Sequence, residues 1–240
     1  MKGPSAVLLD VGGVFLLPSR AHIRSALDRV GHAVADDMNI DKAHYVSVQV
    51  FPMDLHGDEF MGPIWTDYLR EYARFLGVGH RELPEAIEHL RNEFVTAGLW
   101  SHVIDGSRRG LVELVATGVP VGIVSNSDGT IEARLREMEI LQVGSGAGVE
   151  VLCVVDSGGV GVEKPDPRIF DHALEVLGLP PDDAWYVGDT PAFDVVGAQR
   201  AGLRPILMDP FDVNGDHGVT CVRSLSELAE IVTESSNHPQ

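Results

Sequence analysis

The sequence predicts an α/β fold built on a doubly wound parallel sheet. Short apolar runs recur at Val7–Leu9, Val119–Val124, Val151–Val155, Ala184–Val187 and Pro205–Met208. Runs of this length bounded by turn residues read as buried strands. Most are followed by a helical pattern, and the alternation of strand and helix implies parallel pairing. Each run also stops at a polar residue: Asp10, Ser125-Asn126, Asp156-Ser157, Gly188-Asp189 and Asp209. In a parallel sheet these residues share the carboxyl edge, where open α/β sheets bind ligands.

The first strand runs into a Gly12-Gly13 loop. From there to about His102 the strand signal lapses and helical periods replace it. Ile23, Ala26, Leu27 and Val30 share a face that ends at Gly31. Ile64, Trp65, Tyr68, Leu69, Tyr72, Phe75 and Leu76 form a second stripe ending at Gly77. Leu83, Ile87, Leu90 and Phe94 form a third, ending at Gly98. These are amphipathic helices, and their aromatic stripe reads as core. A helical block inserted after strand one reads as a second lobe over residues 18–100, with 1–17 and 101–240 forming the sheet domain. Strand one delivers the chain to the carboxyl edge, so the lobe is expected to cap that edge and exclude water. Asp54-Leu-His-Gly-Asp-Glu59 is a polar segment expected to face the site.

After Asp105 the helices are expected at Arg108–Thr117, Asp128–Met138, Pro167–Leu177, Ala192–Ala201 and Ser224–Thr233. Glycines stop most of them. Ser224 with Glu227 three residues on makes a capping box. Gly144–Gly148 reads as a connector, and Ser235–Gln240 as a frayed tail.

The 240 residues are 44% apolar and 22% charged, ordinary for a globular protein with a normal core. The net charge of −18 disfavours nonspecific binding to nucleic acid or anionic membrane. No stretch approaches the roughly 18 apolar residues of a membrane span. The N-terminus, broken by Asp10, does not read as a signal peptide. Cys153 and Cys221 are expected in strands, buried and unpaired, which fits a cytoplasmic setting. A monomer or homodimer is expected.

Four pieces stand in order: Asp10-x-Gly-Gly-Val, Ser125-Asn126, Lys164-Pro-Asp-Pro-Arg-Ile-Phe170, and Gly188-Asp-Thr-Pro-Ala-Phe-Asp194. The order and the inserted lobe resemble the haloacid dehalogenase-like hydrolase superfamily, in its subgroup with a helical cap after strand one. The resemblance covers nearly the whole chain and implies a Rossmann-like core. It casts Asp10 as a nucleophile that forms an aspartyl-phosphate. It casts Asp10, the Gly12 carbonyl and Asp189 as ligands of Mg²⁺. Asp194 would orient metal-bound water or the lysine, and Lys164 would balance Asp10 and the phosphoryl group. Ser125 would bind a phosphoryl oxygen, with backbone N–H groups around Gly12, Gly13 and Asn126 completing the cradle. The implied substrate is a small phosphorylated metabolite.

One position departs from the pattern. Phosphatases of this superfamily usually carry a second Asp two residues after the nucleophile, as general acid and base. Here that position is Gly12, whose carbonyl can still meet a metal. A positioned acid typically contributes 10²–10⁴-fold. The expected activity is a Mg²⁺-dependent phosphatase in which the missing acid is replaced by a cap residue (His56, Asp58 or Glu59), by a water, or by a substrate whose leaving group needs no proton. A dehalogenase acting on carbon needs no acid, but retention of Asp189 and Asp194 argues for metal and phosphate. A binding or regulatory protein with little turnover is the third reading.

Overall fold

The computed structural model describes residues 3–55, 62–96, 98–215 and 217–237. Strand β1 (Ala6–Leu9) leads through the glycine loop into β2 (Leu16–Pro18). Helices α1 (Arg20–Asp28), α2 (Asp37–Ser47), α3 (Pro63–Phe75) and α4 (Leu83–Phe94) follow. Strand β3 (Trp100–Val103) then pairs antiparallel with β2. Thus the chain leaves and re-enters the sheet region along one two-stranded ribbon. The rest runs α5 (Ser107–Ala116), β4 (Val121–Ser125), α6 (Ile131–Glu137), β5 (Leu141–Val143), β6 (Val149–Val151) and β7 (Val154–Asp156). It continues with α7 (Ser157–Val160), α8 (Arg168–Leu177), β8 (Ala184–Gly188), α9 (Val196–Arg200), β9 (Arg204–Met208), β10 (Thr220–Val222) and α10 (Leu225–Asn237).

The main sheet has six strands in the order β10-β9-β8-β1-β4-β7. All its pairings are parallel. The chain winds from β1 outward on one side through β4 and β7, then crosses to β8 on the other. This reversal sets Asp10, Ser125 and Asp189 on adjacent strand ends, the crevice that parallel sheets open to ligands.

Both faces of the sheet are covered, which is why its strands read as continuous apolar runs. Val7, Leu9, Ile123, Trp185 and Val187 pack under α5 and α10 through Leu111, Leu114, Leu228 and Val232. Leu8, Val124 and Tyr186 pack on the other face against Ile169, Phe170 and Ala198. The inserted helices hold a separate cluster built on Ile23, Leu27, Ile40, Tyr68, Tyr72 and Leu90. Ala192 and Phe193 of the sheet domain reach into it. No helix among the described residues is long and apolar enough to cross a membrane.

Several local expectations are corrected. Helix α2 was not signalled, because its buried positions follow no clean stripe: Ile40, Ala43, His44, Tyr45 and Ser47 are all buried. The Val151–Val155 run is broken at Leu152-Cys153 into β6 and β7. Cys153 is buried in that break, whereas Cys221 is exposed on the edge strand β10 rather than buried. Helix α6 starts at Ile131, because the Asp128 carboxylate holds Thr130 N and its hydroxyl in a turn. The expected Ala192–Ala201 helix opens as a π-turn over Pro191–Val195. The capping box forms, with Glu227 N–H donating to Ser224 Oγ and Arg223 N–H to the Glu227 carboxylate. Ser235 and Ser236 continue α10 instead of fraying.

Candidate active site

Asp10 follows β1 and is nearly inaccessible, 8% exposed. Lys164 Nζ lies 2.8 Å from Asp10 Oδ1 and 2.8 Å from Asp194 Oδ1. It also donates to the Tyr186 hydroxyl at 2.7 Å. An ammonium has three N–H groups, and these three oxygens account for them. Lys164 is therefore held at one point, between the strand ends of β1 and β8. Its backbone is fixed as well: Asn126 Oδ1 accepts from Lys164 N at 2.8 Å, and Asn126 Nδ2 donates to Lys164 O at 3.0 Å.

Asp194 uses both oxygens within the protein. Oδ1 meets Lys164, and Oδ2 accepts from Thr190 N–H at 2.8 Å. The π-turn makes this reach possible by directing Asp194 back across the loop, a use to which such turns are often put at functional sites. Gly188 is required beside it, since a Cβ there would stand 2.2 Å from Asp194 Cγ. Gly13 serves Asp189 the same way. It has φ of +63°, and a Cβ on it would stand 2.2 Å from Asp189 Cγ. The two glycines thus let two carboxylates lie against backbone.

Asp10, Asp189 and Asp194 bring carboxylate oxygens within 4.8 Å of one another. One ammonium pairs with two of these three carboxylates, Asp10 and Asp194. Burial pushes the Asp10 carboxyl from 3.8 up to about 7; Lys164 pulls it down, and Asp194 and Asp189 add to the rise. Burial also works against the Lys164 charge, but Asp10 and Asp194 outweigh it and hold its pKa above the usual lysine value. An excess of buried negative charge on hard oxygen donors is the setting that fits a divalent cation. Asp194 is held by Lys164, Tyr186 and Thr190, while Asp10 and Asp189, each holding fewer or weaker contacts on one oxygen, are the carboxylates placed to offer an oxygen to it.

The structure brings Asp10, Gly12, Ser125, Asn126, Lys164, Asp189 and Asp194 together on one cavity of about 480 Å³. Ser125, last in β4, is buried there with Asp10. Gly13 is placed differently from the expected phosphate cradle. Its N–H donates to Leu16 O at 2.9 Å, and its carbonyl accepts from the Tyr45 hydroxyl at 2.8 Å. Its backbone ties the loop to α2 rather than opening toward the cavity. The Asn126 side chain, as noted, is spent on Lys164. His56, Asp58 and Glu59, the acids expected from the capping lobe, lie outside the described residues.

Three residues of the site carried no motif. His44 on α2 is buried, with Nε2 2.8 Å from Asp189 Oδ2 and Nδ1 2.9 Å from the Tyr68 hydroxyl. The carboxylate can only accept, so Nε2 carries hydrogen and Nδ1 is free to accept from Tyr68. The imidazole thereby orients a carboxylate of the sheet domain from the inserted helices. Tyr186 on β8 bridges Lys164 and Asp194, its oxygen also 3.1 Å from Val124 O. Trp100 on β3 sets its ring against Gly12, 3.4 Å from where a Cβ would stand. A tyrosine in a strand buried throughout was a usable signal, because its hydroxyl needs a partner. His44 and Trp100 had none.

The comparisons with known proteins agree with this arrangement. The sequence matches the family model of haloacid dehalogenase-like hydrolases over residues 4–202. It is 35% identical to phosphoserine phosphatase of Thermus thermophilus over 131 residues, 54% of this chain and 47% of that protein. It is 30% identical to haloacid dehalogenase-like hydrolase domain-containing protein 3 of Danio rerio over 154 residues, 64% of this chain and 60% of that protein. These matches span about half to three-fifths of the length of the curated relatives. The structure of a HAD-superfamily hydrolase from Ehrlichia chaffeensis superposes with a TM-score of 0.60 at 17% identity, covering 99% of this chain and 100% of that one. With strand order, carboxylate cluster, lysine and family match in agreement, the chain belongs to the haloacid dehalogenase-like hydrolase family.

Proposed function

We propose that the protein is a Mg²⁺-dependent phosphatase that cleaves a small phosphate monoester through an aspartyl-phosphate on Asp10. The observation that carries this reading is the cluster of Asp10, Lys164, Asp189 and Asp194 at the floor of the cavity. The similarity to a phosphoserine phosphatase supports it. The substrate enters between the inserted helices, which act as a cap, and the sheet edge. An Asp10 oxygen attacks phosphorus, the bond to the leaving oxygen breaks, and the leaving group departs with the electron pair. Lys164 stays charged beside Asp10 and offsets the negative phosphoryl oxygens. Ser125 donates to one of them. Asp194 and Tyr186 keep the lysine in place, and Asn126 fixes its backbone. Water then attacks phosphorus of the acyl phosphate and restores the Asp10 carboxylate.

Asp10, Asp189 and the Gly12 carbonyl would hold Mg²⁺, which when bound neutralises charge on the phosphoryl group. His44 would keep Asp189 turned toward that position. The reading is tested with a panel of phosphate monoesters, assayed for phosphate release with Mg²⁺ and with EDTA, and with 2-chloropropionate as a carbon-halide control. Phosphate release that needs the cation supports it. Halide release with no phosphate release overturns it.

A further inference from the structure

Aromatic rings make up much of the cavity wall above Asp10. Phe51, Trp65, Tyr68, Phe94, Trp100 and Phe193 line it. The rings form a connected cage: Phe51 stacks on Tyr68 with centroids 5.7 Å apart and meets Trp65 at 5.2 Å and Phe193 at 5.1 Å. Tyr68 meets Phe94 at 5.6 Å, and Phe94 meets Trp100 at 6.5 Å. Away from the aspartate–lysine floor and His44, the charged side chains among the described lining residues are Asp128 and Arg134. Asp128 is an exposed turn residue at the rim. Arg134 donates one guanidinium N–H to the Trp100 carbonyl. Set against the rings, a leaving group with a carboxylate, an ammonium or a row of hydroxyls would give up hydration that the rings do not replace, at a desolvation cost. An aromatic group would lose no hydrogen bonds and gain ring contacts.

Gly12 points the same way. The position two beyond Asp10 carries no carboxyl side chain, and the Trp100 ring lies within van der Waals contact of where a Cβ would be. An aryl oxide is stable enough to leave before it is protonated, so it depends least on that missing group.

Resting on the phosphatase reading above, we propose that the substrates are aryl phosphate monoesters, whose ring seats in the Phe51–Trp65–Tyr68–Phe94–Trp100–Phe193 cage while the phosphoryl group meets Asp10 and Lys164. In the step, the bond from the Asp10 oxygen to phosphorus forms and the bond from phosphorus to the aryl oxygen breaks. The aryl oxide carries off the electron pair and takes its proton from water.

The test compares kcat/KM for α-naphthyl phosphate, phosphoserine and ethyl phosphate, with acetyl phosphate as a ringless acyl phosphate of high intrinsic reactivity. The expected result is α-naphthyl phosphate favoured over phosphoserine by roughly 10²-fold or more. Its KM should lie roughly tenfold or more below that of acetyl phosphate, because the ring adds binding. Trp65→Ala and the milder Phe94→Leu should each raise KM further on α-naphthyl phosphate than on acetyl phosphate. Calorimetry on the wild-type protein provides a readout that needs no variant: α-naphthylmethylphosphonate should bind and phosphoserine should not compete with it. Phosphoserine or ethyl phosphate turned over as well as α-naphthyl phosphate would overturn the proposal and leave the phosphatase reading standing. No hydrolysis of any of these esters or of acetyl phosphate would overturn both.

Discussion

Replacing Gly12 with Asp restores a carboxyl group two residues beyond Asp10, and the structure sets how much it should gain. Gly13, not Gly12, is the loop glycine with positive φ, so the backbone at 12 accepts a side chain. The new Cβ would stand 3.4 Å from Cζ3 and 3.8 Å from Cη2 of Trp100, ordinary van der Waals contact. The carboxyl must then extend along the indole edge, sharing space with it. A positioned acid contributes roughly 10²–10⁴-fold, and a constrained one takes the lower end, ~10²-fold or about 2.7 kcal/mol. The gain belongs to poor leaving groups. In a continuous phosphate-release assay with Mg²⁺, kcat/KM on ethyl phosphate should rise by ~10²-fold and that on para-nitrophenyl phosphate by less than about threefold. An equal gain on both esters would refute the reasoning. So would a loss on both in a variant whose melting curve matches wild type.

Other perturbations test the charge balance. Lys164→Met leaves buried Asp10 and Asp194 without their ammonium, and breaking such a pair costs about 3–5 kcal/mol. For a chain of this size, melting in EDTA should fall by roughly 6–20 °C, and an unchanged melting temperature would contradict the ion-pair account. His44→Ala removes the hydrogen bond that orients Asp189, so calorimetry should find Mg²⁺ bound roughly 10–100-fold more weakly. Unaltered affinity would show that His44 does not position the ligand. Asp10 supplies a pH dependence. Its pKa rises from 3.8 to about 7 through burial, so the folded protein keeps a proton that the unfolded chain has lost. The associated stability is fully present below 3.8 and is lost as pH rises through about 7. Urea midpoints in EDTA should therefore fall across that window, and Mg²⁺ should flatten the fall. A midpoint that rises with pH in EDTA would contradict the sign.

The sheet was legible because every central strand is buried on both faces and so reads as an uninterrupted apolar run. The polar residue that stops each run was legible for the same reason: it is where the strand leaves the core. Asp10 and Asp189 surfaced in this way, whereas Lys164 and Asp194 were readable only from the ordered motifs and the family resemblance; the structure sets Asp10 and Asp194 on one ammonium and Asp189 beside them. What escaped lies between the inserted helices and the sheet. His44 is buried on α2, whose buried residues face both its helical neighbours and the Gly13 and Asp189 loops, so no single stripe marks it. Gly12 was readable as a missing carboxyl, but not the Trp100 ring that fills its surroundings, since β3 lies far along the chain and meets the loop only through its pairing with β2. Gly13 was readable as a loop glycine. That its N–H is spent on Leu16 and its carbonyl on Tyr45 depends on three-dimensional closure.

The central claim is that Asp10 takes the phosphoryl group. Rapid acid quench during turnover of acetyl phosphate, followed by mass spectrometry of the Asp10-bearing peptide, tests it most directly. The account predicts that this peptide gains one phosphoryl group in the wild-type protein. It predicts that Asp10→Asn, folded by its melting curve, neither gains the group nor releases phosphate. Phosphate release by Asp10→Asn at the wild-type rate, or a phosphoryl group on another residue with Asp10 unmodified, would contradict it.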